Sequence, residues 1–384
     1  VPDDVPKQTK LVGAFIFGHI GDKMGRRTVL FVTITLMGLA STMIGFLPTY
    51  QEVGVLAPIG LVILRIVQGL GAGAEISGAG VMVTEFCEKK NRGLIASLVC
   101  LGTSSGTLCA NLIWTIILTM MDKQEVIAWG WRIPFYASFV VMIAAILIRM
   151  FVKESPVMAA KKKLLEEERE KQLAGDIPTK VQKKGKKSFI VALALRFGQA
   201  GNSGLMQTYL AGFIVTVLAM QKTVATEANI ISSFVSFLTI PFVGWLGDKI
   251  GRRKMYMILS LATAIYAVPM MLLFETKDPV VLTIAMVIGL NVGVQGLFAL
   301  ENVTMAELFG ARHRVTAVSL AKEIAGLVAT GFGPIIAAAA VAATMGSWIP
   351  LAIMIIVFSL SSFFGAYVSE DTTGRDLNEL DDAM

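Results

Sequence analysis

Two nearly identical ten-residue segments constrain this chain more than any other feature of its sequence. The first runs from Gly18 to Arg27 and the second from Gly244 to Arg253, and both read Gly-x-x-Gly-Asp-Lys-x-Gly-Arg-Arg. Each segment joins two long apolar runs. Glycine permits tight turns and close packing, and Lys and Arg hold a short loop on the cytoplasmic side of a membrane. The repeat therefore predicts a membrane protein built from two homologous halves.

The composition supports a chain that crosses the membrane many times. Hydrophobic residues make up 55% of the 384 residues and charged residues only 16%, which is too little charge to solvate a globule of this size. About ten apolar stretches approach the roughly 20 residues that span a bilayer as a helix. They are 28–47, 56–83, 93–120, 133–151, 190–218, 228–246, 255–274, 280–306, 315–343 and 349–368. An eleventh stretch, 11–20, is half as long, and the polar residues 1–10 before it are predicted to form an extracytoplasmic loop.

The net charge of +6 does not indicate a nucleic-acid partner. Most of the 34 Lys and Arg lie in the loops of one side, which places both segments in the cytoplasm and leaves no basic surface for DNA or RNA. The three cysteines have no metal or redox spacing, and no nucleotide-binding loop or nucleophile with its base is present. We therefore expect a multi-pass protein of the cell membrane in contact with lipid, with no enzymatic activity, metal or cofactor.

A second repeat confirms the two halves independently. Glu85 and Arg92 are separated by the same distance as Glu307 and Arg314, and a Ser-Leu pair follows each at the same spacing. The long polar stretch between the halves contains helix-forming residues at 161–171, which predict either a surface helix on anionic lipid or a solvated tether. The predicted organisation is an N-terminal bundle (1–152), a cytoplasmic loop (153–187), a C-terminal bundle (188–368) and a cytoplasmic tail (369–384).

The repeated segment resembles the signature of the major facilitator superfamily, which lies between the second and third and between the eighth and ninth helices. The rest of the chain is similar to the metabolite:proton symporters of that superfamily. The matching segments are 65–69 (Arg-Ile-Val-Gln-Gly), 130–134 (Gly-Trp-Arg-Ile-Pro), 153–157 (Lys-Glu-Ser-Pro-Val) and the tail from Glu370. One departure is Gly-Ala-Glu-Ile-Ser-Gly at 73–78, where members usually have Gly-Gly-Glu-Trp-Gly-Gly. The resemblance implies an all-α fold of two pseudo-symmetric six-helix bundles, with the first helix and part of the second missing from this sequence.

The resemblance also implies a function and a gate. It predicts a monomeric secondary active transporter that takes up a small polar metabolite, a carboxylate or a zwitterion, together with protons by alternating access. The alternatives are an efflux antiporter of the same fold and a non-transporting membrane sensor. Charged networks of the repeats would close the cytoplasmic side. The residues assigned to this gate are Gly18, Asp22, Arg26, Arg27, Glu85, Arg92, Gly244, Asp248, Arg252, Arg253, Glu307 and Arg314.

Polar residues inside the predicted spans are the candidates for binding substrate and protons, because charge inside a bilayer is costly. Arg65, Gln68 and Glu75 fall within an arc of about 80° on one helix and are predicted to face a central cavity. Arg196 could also face the cavity or extend its guanidinium to the cytoplasmic interface. The other candidates are Gln199, Gln207, Asn291, Gln295, Lys322 and Glu323; the last two are adjacent and point about 100° apart.

Overall fold

The computed structural model describes residues 7–173 and 185–384, and this part of the chain is helical, with no β-strand. The first half contains α1 (Lys7–Met24), α2 (Arg26–Phe46), α3 (Leu56–Phe86), α4 (Lys89–Met120) and α5 (Gly130–Phe151). A polar helix, α6 (Pro156–Leu173), follows. The second half contains α7 (Lys186–Ser203, continued to Thr216), α8 (Lys222–Ile250), α9 (Arg252–Glu275), α10 (Pro279–Leu308), α11 (Arg314–Ala343) and α12 (Ile349–Val368).

Nine helices of the described residues, α2 to α5 and α8 to α12, are long and apolar enough to cross a membrane. The helix α7 lies where the span 190–218 is predicted but is less apolar, because it carries Arg196, Gln199 and Asn202. The prediction of a loop over residues 1–10 is wrong from Lys7 onward, where α1 begins. Residues 1–6 of that prediction lie outside the described part.

The glycine before each pair of arginines forms a turn that few other residues could form. Gly25 has a φ of 114° and Gly251 a φ of 98°, in the region that side chains disfavour. Each turn allows one helix to end and the next to begin at once. The backbone N–H of Arg26 donates to Glu154 at 2.9 Å, and that of Arg252 donates to the Thr373 hydroxyl at 3.0 Å. The two turns are therefore equivalent in both conformation and capping.

The two halves contact each other through two equivalent pairs of helices. The helix α1 packs against α11 of the other half, and α8 packs against α4 in the same way. Gly18 lies at the first contact, where a Cβ atom would stand 2.8 Å from the Cα of Thr316. Gly244 lies at the second, where a Cβ would stand 2.7 Å from the Gly93 carbonyl oxygen. The first glycine of each repeated segment thus permits backbone contact between the halves.

The substitution Gly18→Ala is expected to separate α1 from α11. Relief of the clash with backbone atoms should cost about 1 to 3 kcal/mol, which corresponds to a roughly 5- to 150-fold increase in opening of this contact. Cys100 is 1% exposed and lies between the halves, where its thiol donates to the Phe298 carbonyl. Its maleimide labelling rate, in a Cys87→Ser and Cys109→Ser background, measures the opening. Gly212→Ala, whose Cβ meets nothing within 4 Å, should leave that rate unchanged.

Three helices of the second half contain a six-residue π-helical turn. These turns are Gly204–Tyr209 in α7, Asn291–Gly296 in α10 and Leu327–Phe332 in α11. They include Gln207, Asn291 and Gln295, which are candidates from the sequence. Because π turns widen a helix and release backbone groups, they occur often at functional sites.

Candidate functional site

The residues predicted to form a gate make two charged networks in the structure, and the first is centred on Glu85, at the cytoplasmic end of α3. Its carboxylate pairs with Arg26 at 3.1 Å and with Arg314 of the other half at 2.8 Å. All three side chains are at most 1% exposed. The Ser155 hydroxyl donates to the second carboxylate oxygen. Glu85 therefore binds one arginine from each half in a dry interface.

The second network repeats this arrangement with the halves exchanged. Glu307, at the end of α10, pairs with Arg252 at 3.1 Å and with Arg92 of the first half at 2.8 Å. The backbone N–H of Gly374 donates to Glu307 at 3.3 Å, as Ser155 does to Glu85. The structure thus brings together the glutamates and arginines of both repeats. Each seven-residue pair, such as Glu85 and Arg92, is split between the two networks.

The aspartate of each repeated segment caps a helix of the opposite half. Asp22 accepts hydrogen bonds from the backbone N–H of Val315 (3.2 Å) and of Thr316 (2.9 Å), in the first turn of α11. Asp248 accepts equivalent bonds from Gly93 (2.8 Å) and Leu94, in the first turn of a helical stretch of α4. A carboxylate at a helix N-terminus satisfies free N–H groups and complements the helix dipole. The aspartates therefore hold the halves together at the cytoplasmic side.

The last arginine of each segment contacts its own half instead. Arg27 donates to the Met150 carbonyl at 2.9 Å, at the end of α5. Arg253 donates to the Tyr367 carbonyl at 2.7 Å, at the end of α12. Helix C-termini expose free carbonyls that attract cations. These two residues fasten each repeated segment to its own bundle, so the segments join the halves as rigid units.

The polar stretch that was predicted as a surface helix or a tether is helical in its described part, α6, and its first turns are anchored to both halves. The ammonium of Lys161 is buried and donates to the backbone carbonyls of Asp22 and Arg312, both at 2.8 Å. Glu168 pairs with Arg312 at 2.7 Å. The helix α6 therefore packs across the junction of the two halves. Residues 174–184 of the predicted loop lie outside the described part.

We expect alkaline pH to favour the closed cytoplasmic side through Lys161. The pKa of the Lys161 ammonium falls from 10.5 to about 8, mainly because the group is buried. Nearby Asp22 and Glu85 raise this pKa, and Arg26 lowers it. If opening exposes Lys161, the open state binds a proton between pH 8 and 10.5 that the closed state does not bind. A rise in pH therefore favours the closed state, by roughly tenfold between pH 7 and 9. Spin-label distances between Lys89→Cys and Lys254→Cys measure this equilibrium. Lys161→Met should abolish the pH effect, whereas Lys163→Met, at an exposed position, should retain it.

A second charged site lies inside the membrane, on helices α7, α10 and α11. Glu301 is fully buried, and it pairs with Arg196 at 3.0 Å and with Lys322 at 2.7 Å. Lys322 also donates to the Asn302 side chain at 2.8 Å, and Arg196 to Gln199. Glu301 lies seven residues before the end of α10, about 10 Å from the cytoplasmic end of that helix. This cluster therefore lies about 9 Å along α10 from Glu307, the centre of the second network.

Glu301 is the central residue that reasoning from the sequence missed. An acidic residue inside a predicted span is itself a strong signal, because such residues are rare and costly in lipid. Arg196 points toward Glu301, not toward the cytoplasmic interface, and its side chain is 20% exposed. Lys322 joins the cluster, whereas the adjacent Glu323 is partly exposed and not among the ion pairs of the cluster. The prediction that the two neighbours point in different directions agrees with this geometry.

The other polar candidates of the second half lie near this cluster or on neighbouring helices. Gln199 donates to the Val294 carbonyl at 3.4 Å, and Asn291 donates to the Ser232 hydroxyl at 3.0 Å. Gln207 accepts a hydrogen bond from Ser203 at 3.0 Å. Gln295 is buried within the π turn of α10. These groups connect α7, α8 and α10 along the interior of the second half.

The predicted polar face of α3 is divided in the structure. Glu75 pairs with Arg149 of α5 and accepts a hydrogen bond from Thr33 of α2 at 2.7 Å. Gln68 donates to Ser41 of α2 at 2.8 Å. Both residues thus contact helices of their own half and remain partly exposed, and the prediction that they face a cavity between the halves stays a prediction. Their partners on α2 and α5 are distant in sequence, so periodicity along α3 could not identify them.

Arg65 differs from its neighbours on α3 in having no acidic partner. Its guanidinium donates to the Gln68 side chain at 3.1 Å, and no described carboxylate lies within ion-pair distance. It lies about 14 Å from the outer end of α3 and, by helical rise, roughly 20 Å nearer the outside than Glu301. Arg65 therefore provides a cation inside the membrane that is available to an anion.

Two related helical halves, joined by ion pairs at the cytoplasmic side and holding charged groups within the membrane, define a polytopic membrane transporter. The sequence model of the protein family described as Major Facilitator Superfamily matches residues 9–334 and 189–379 of this chain. The chain therefore belongs to the Major Facilitator Superfamily, whose members are transporters and not enzymes, and it is a multi-pass membrane protein.

Known relatives agree with the predicted resemblance to metabolite transporters. The protein named "Putative transporter YdfJ" from Escherichia coli is 50% identical, over 97% of this chain and 86% of its own length. The shikimate transporter of the same organism is 28% identical, over 94% and 82% respectively. Among solved structures, the proton:xylose symporter XylE bound to 6-bromo-6-deoxy-D-glucose has a TM-score of 0.79 and 18% identity, over 98% of this chain and 87% of that one. The last comparison confirms the predicted fold.

Proposed function

We propose that this transporter is a symporter that takes up a small carboxylate or zwitterion together with a proton. The observation that supports this proposal is the buried Glu301 between Arg196 and Lys322. A buried carboxylate is stable when it is either paired with cations or protonated. Glu301 can therefore exchange its pairing with two cations for a proton.

The cluster suggests how proton and substrate would be coupled. When Glu301 binds a proton, Arg196 and Lys322 become free to bind the carboxylate of a substrate. The net charge of the site is then the same with ionised Glu301 as with protonated Glu301 and an anionic substrate carboxylate. Release of the substrate would return both cations to Glu301, which would lose its proton. Binding of one ligand thus offsets the charge change caused by the other.

Two further observations support a substrate with a carboxylate. Arg65 lies nearer the outside and has no acidic partner, so it can attract an incoming anion. Relatives from Escherichia coli are named a shikimate transporter and a proline/betaine transporter, and shikimate, proline and betaine each carry one carboxylate. We infer that the gate opens when the substrate carboxylate has replaced Glu301 as the partner of Arg196 and Lys322, because alternating access requires the networks of Glu85 and Glu307 to separate.

Lumenal pH in proteoliposomes tests the proposal directly. Carboxylates, zwitterions, sugars and hydrophobic cations are added outside, one at a time, in the absence of an imposed gradient. We expect acidification with one small acid or zwitterion, and none in Arg65→Ala or Glu301→Gln. Proton movement only with hydrophobic cations would favour an efflux antiporter. Substrate entry without any pH change would contradict proton coupling.

A further inference from the structure

A basic cavity opens at the cytoplasmic face, beside the first network of the gate. Its volume is about 410 Å³, within the range of small-molecule sites. It lies between α1, α6 and the loop before α11, so both halves contribute to its wall. The side chains that matter here are His19, Lys23, Lys162, Arg312 and His313.

The charge of this wall is strongly positive. Lys23, Lys161, Lys162 and Arg312 contribute four cations, whereas Asp22 is the one acidic residue that lines the cavity. The carboxylate of Asp22 is already occupied by α11, Lys161 is occupied by two carbonyls, and Arg312 is paired with Glu168 of α6. The side chains of Lys23 and Lys162 are exposed and have no ion pair among the described residues. Cationic groups therefore face the cavity without a partner of opposite charge.

We propose that this cavity binds a phosphate group, either of a soluble cytoplasmic anion or of a lipid headgroup, and that the bound phosphate holds the cytoplasmic side closed. Ammonium, guanidinium and imidazole groups converge there, and they are the side chains that bind phosphate oxygens. Lys23 comes from the first half, Lys162 from the linking helix α6, and Arg312 and His313 from the second half. The complete site exists only while the halves are in contact.

A ligand that binds only the closed state shifts the equilibrium toward closure. At a concentration ten times its Kd, phosphate should make opening about tenfold less favourable. This site is separate from the intramembrane cluster, so the inference depends on the gate and not on the proposed substrate. It assigns to the transporter an inhibitory site on the cytoplasmic side.

The test measures binding without transport. Inorganic phosphate is titrated against the purified protein in a neutral detergent, with heat of binding and Cys100 labelling as the two measurements. We expect saturable binding and about tenfold slower labelling at ten times the Kd. Lys162→Gln should weaken phosphate binding at least tenfold, whereas Lys163→Gln, the exposed neighbour outside the cavity, should not change it.

A second experiment identifies the source of the phosphate. The protein is reconstituted in phosphatidylcholine vesicles with and without phosphatidylglycerol, and Cys100 labelling is compared. Slower labelling with phosphatidylglycerol, lost in Lys162→Gln, would assign the site to a lipid headgroup; an effect of soluble phosphate alone would assign it to a cytoplasmic anion. The proposal is overturned if neither phosphate source slows labelling, or if both lysine variants respond alike, as general surface charge would require.

Discussion

The substitution Glu85→Gln is expected to open the cytoplasmic side of the transporter. It retains the size of the side chain and its hydrogen bond with Ser155 but removes the charge that Arg26 and Arg314 share. Two guanidinium groups then remain in a dry interface without an anion. Removal of one member of a buried ion pair costs about 3 to 5 kcal/mol. Opening lets water reach both arginines, so the cost falls on the closed state.

The expected effect on the gate is large. The closed state should lose about two to four powers of ten in its equilibrium with the open state. Maleimide labelling of Cys100, in the background without the other two cysteines, should become faster by a similar factor. Glu307→Gln should have a comparable effect, because its arrangement with Arg92 and Arg252 is equivalent.

The matched control for the gate is Glu88→Gln. Glu88 is three residues from Glu85 and exposed, and it forms none of the ion pairs of the described residues, so its loss should leave labelling unchanged. The total reactivity of Cys100 in denaturant corrects for differences in the thiol itself. Labelling of Glu85→Gln at the rate of the unmodified protein would contradict the assignment of Glu85 to the gate.

The substitution Glu301→Gln is expected to separate transport from the proton gradient. Glutamine resembles a glutamate that is permanently protonated, so Arg196 and Lys322 should stay available to the substrate carboxylate. With a gradient of one pH unit, one-to-one symport of a zwitterion sustains about tenfold accumulation. The variant should accumulate its substrate to a ratio of about one, while exchange of labelled for unlabelled substrate continues.

Two controls keep this prediction specific. Glu227→Gln, at an exposed position near the outer end of α8, should accumulate substrate normally. If Glu301→Gln folds poorly because two cations lose their partner, the double variant Glu301→Gln and Lys322→Gln should recover expression without recovering accumulation. A tenfold accumulation in Glu301→Gln would show that another group carries the proton.

Much of the fold could be predicted because the bilayer limits the choices. Apolar stretches of fixed length become helices, and the positions of Lys and Arg orient them. The charged residues of the two networks could be found because they occur twice at equal spacing, and the resemblance to a known superfamily implied their role as a gate. The intramembrane cluster was only partly predicted. Arg196 and Lys322 are candidates from the sequence, but Glu301 is not, although it lies on the same helix as the candidates Asn291 and Gln295.

Other features depend on contacts between distant parts of the chain. Glu75 and Gln68 were predicted from their shared face on α3, yet their partners lie on α2 and α5. Helical periodicity defines a face but not what covers it. The polar composition of α6 was compatible with a tether, and the burial of Lys161 results from carbonyls supplied by both halves.

The sequence by itself determined that this protein has two homologous halves of membrane-spanning helices with charged segments at the cytoplasmic side. Local physics is sufficient for that conclusion, since hydropathy, glycine turns and charge asymmetry act within short stretches. Only the tertiary structure decided which charge pairs with which. Arg92 and Arg314 each bind the glutamate of the opposite repeat, because an ion pair depends on distances of about 3 Å in space. The same reason explains why the position of Glu301 between Arg196 and Lys322 emerged only when the three helices were packed together.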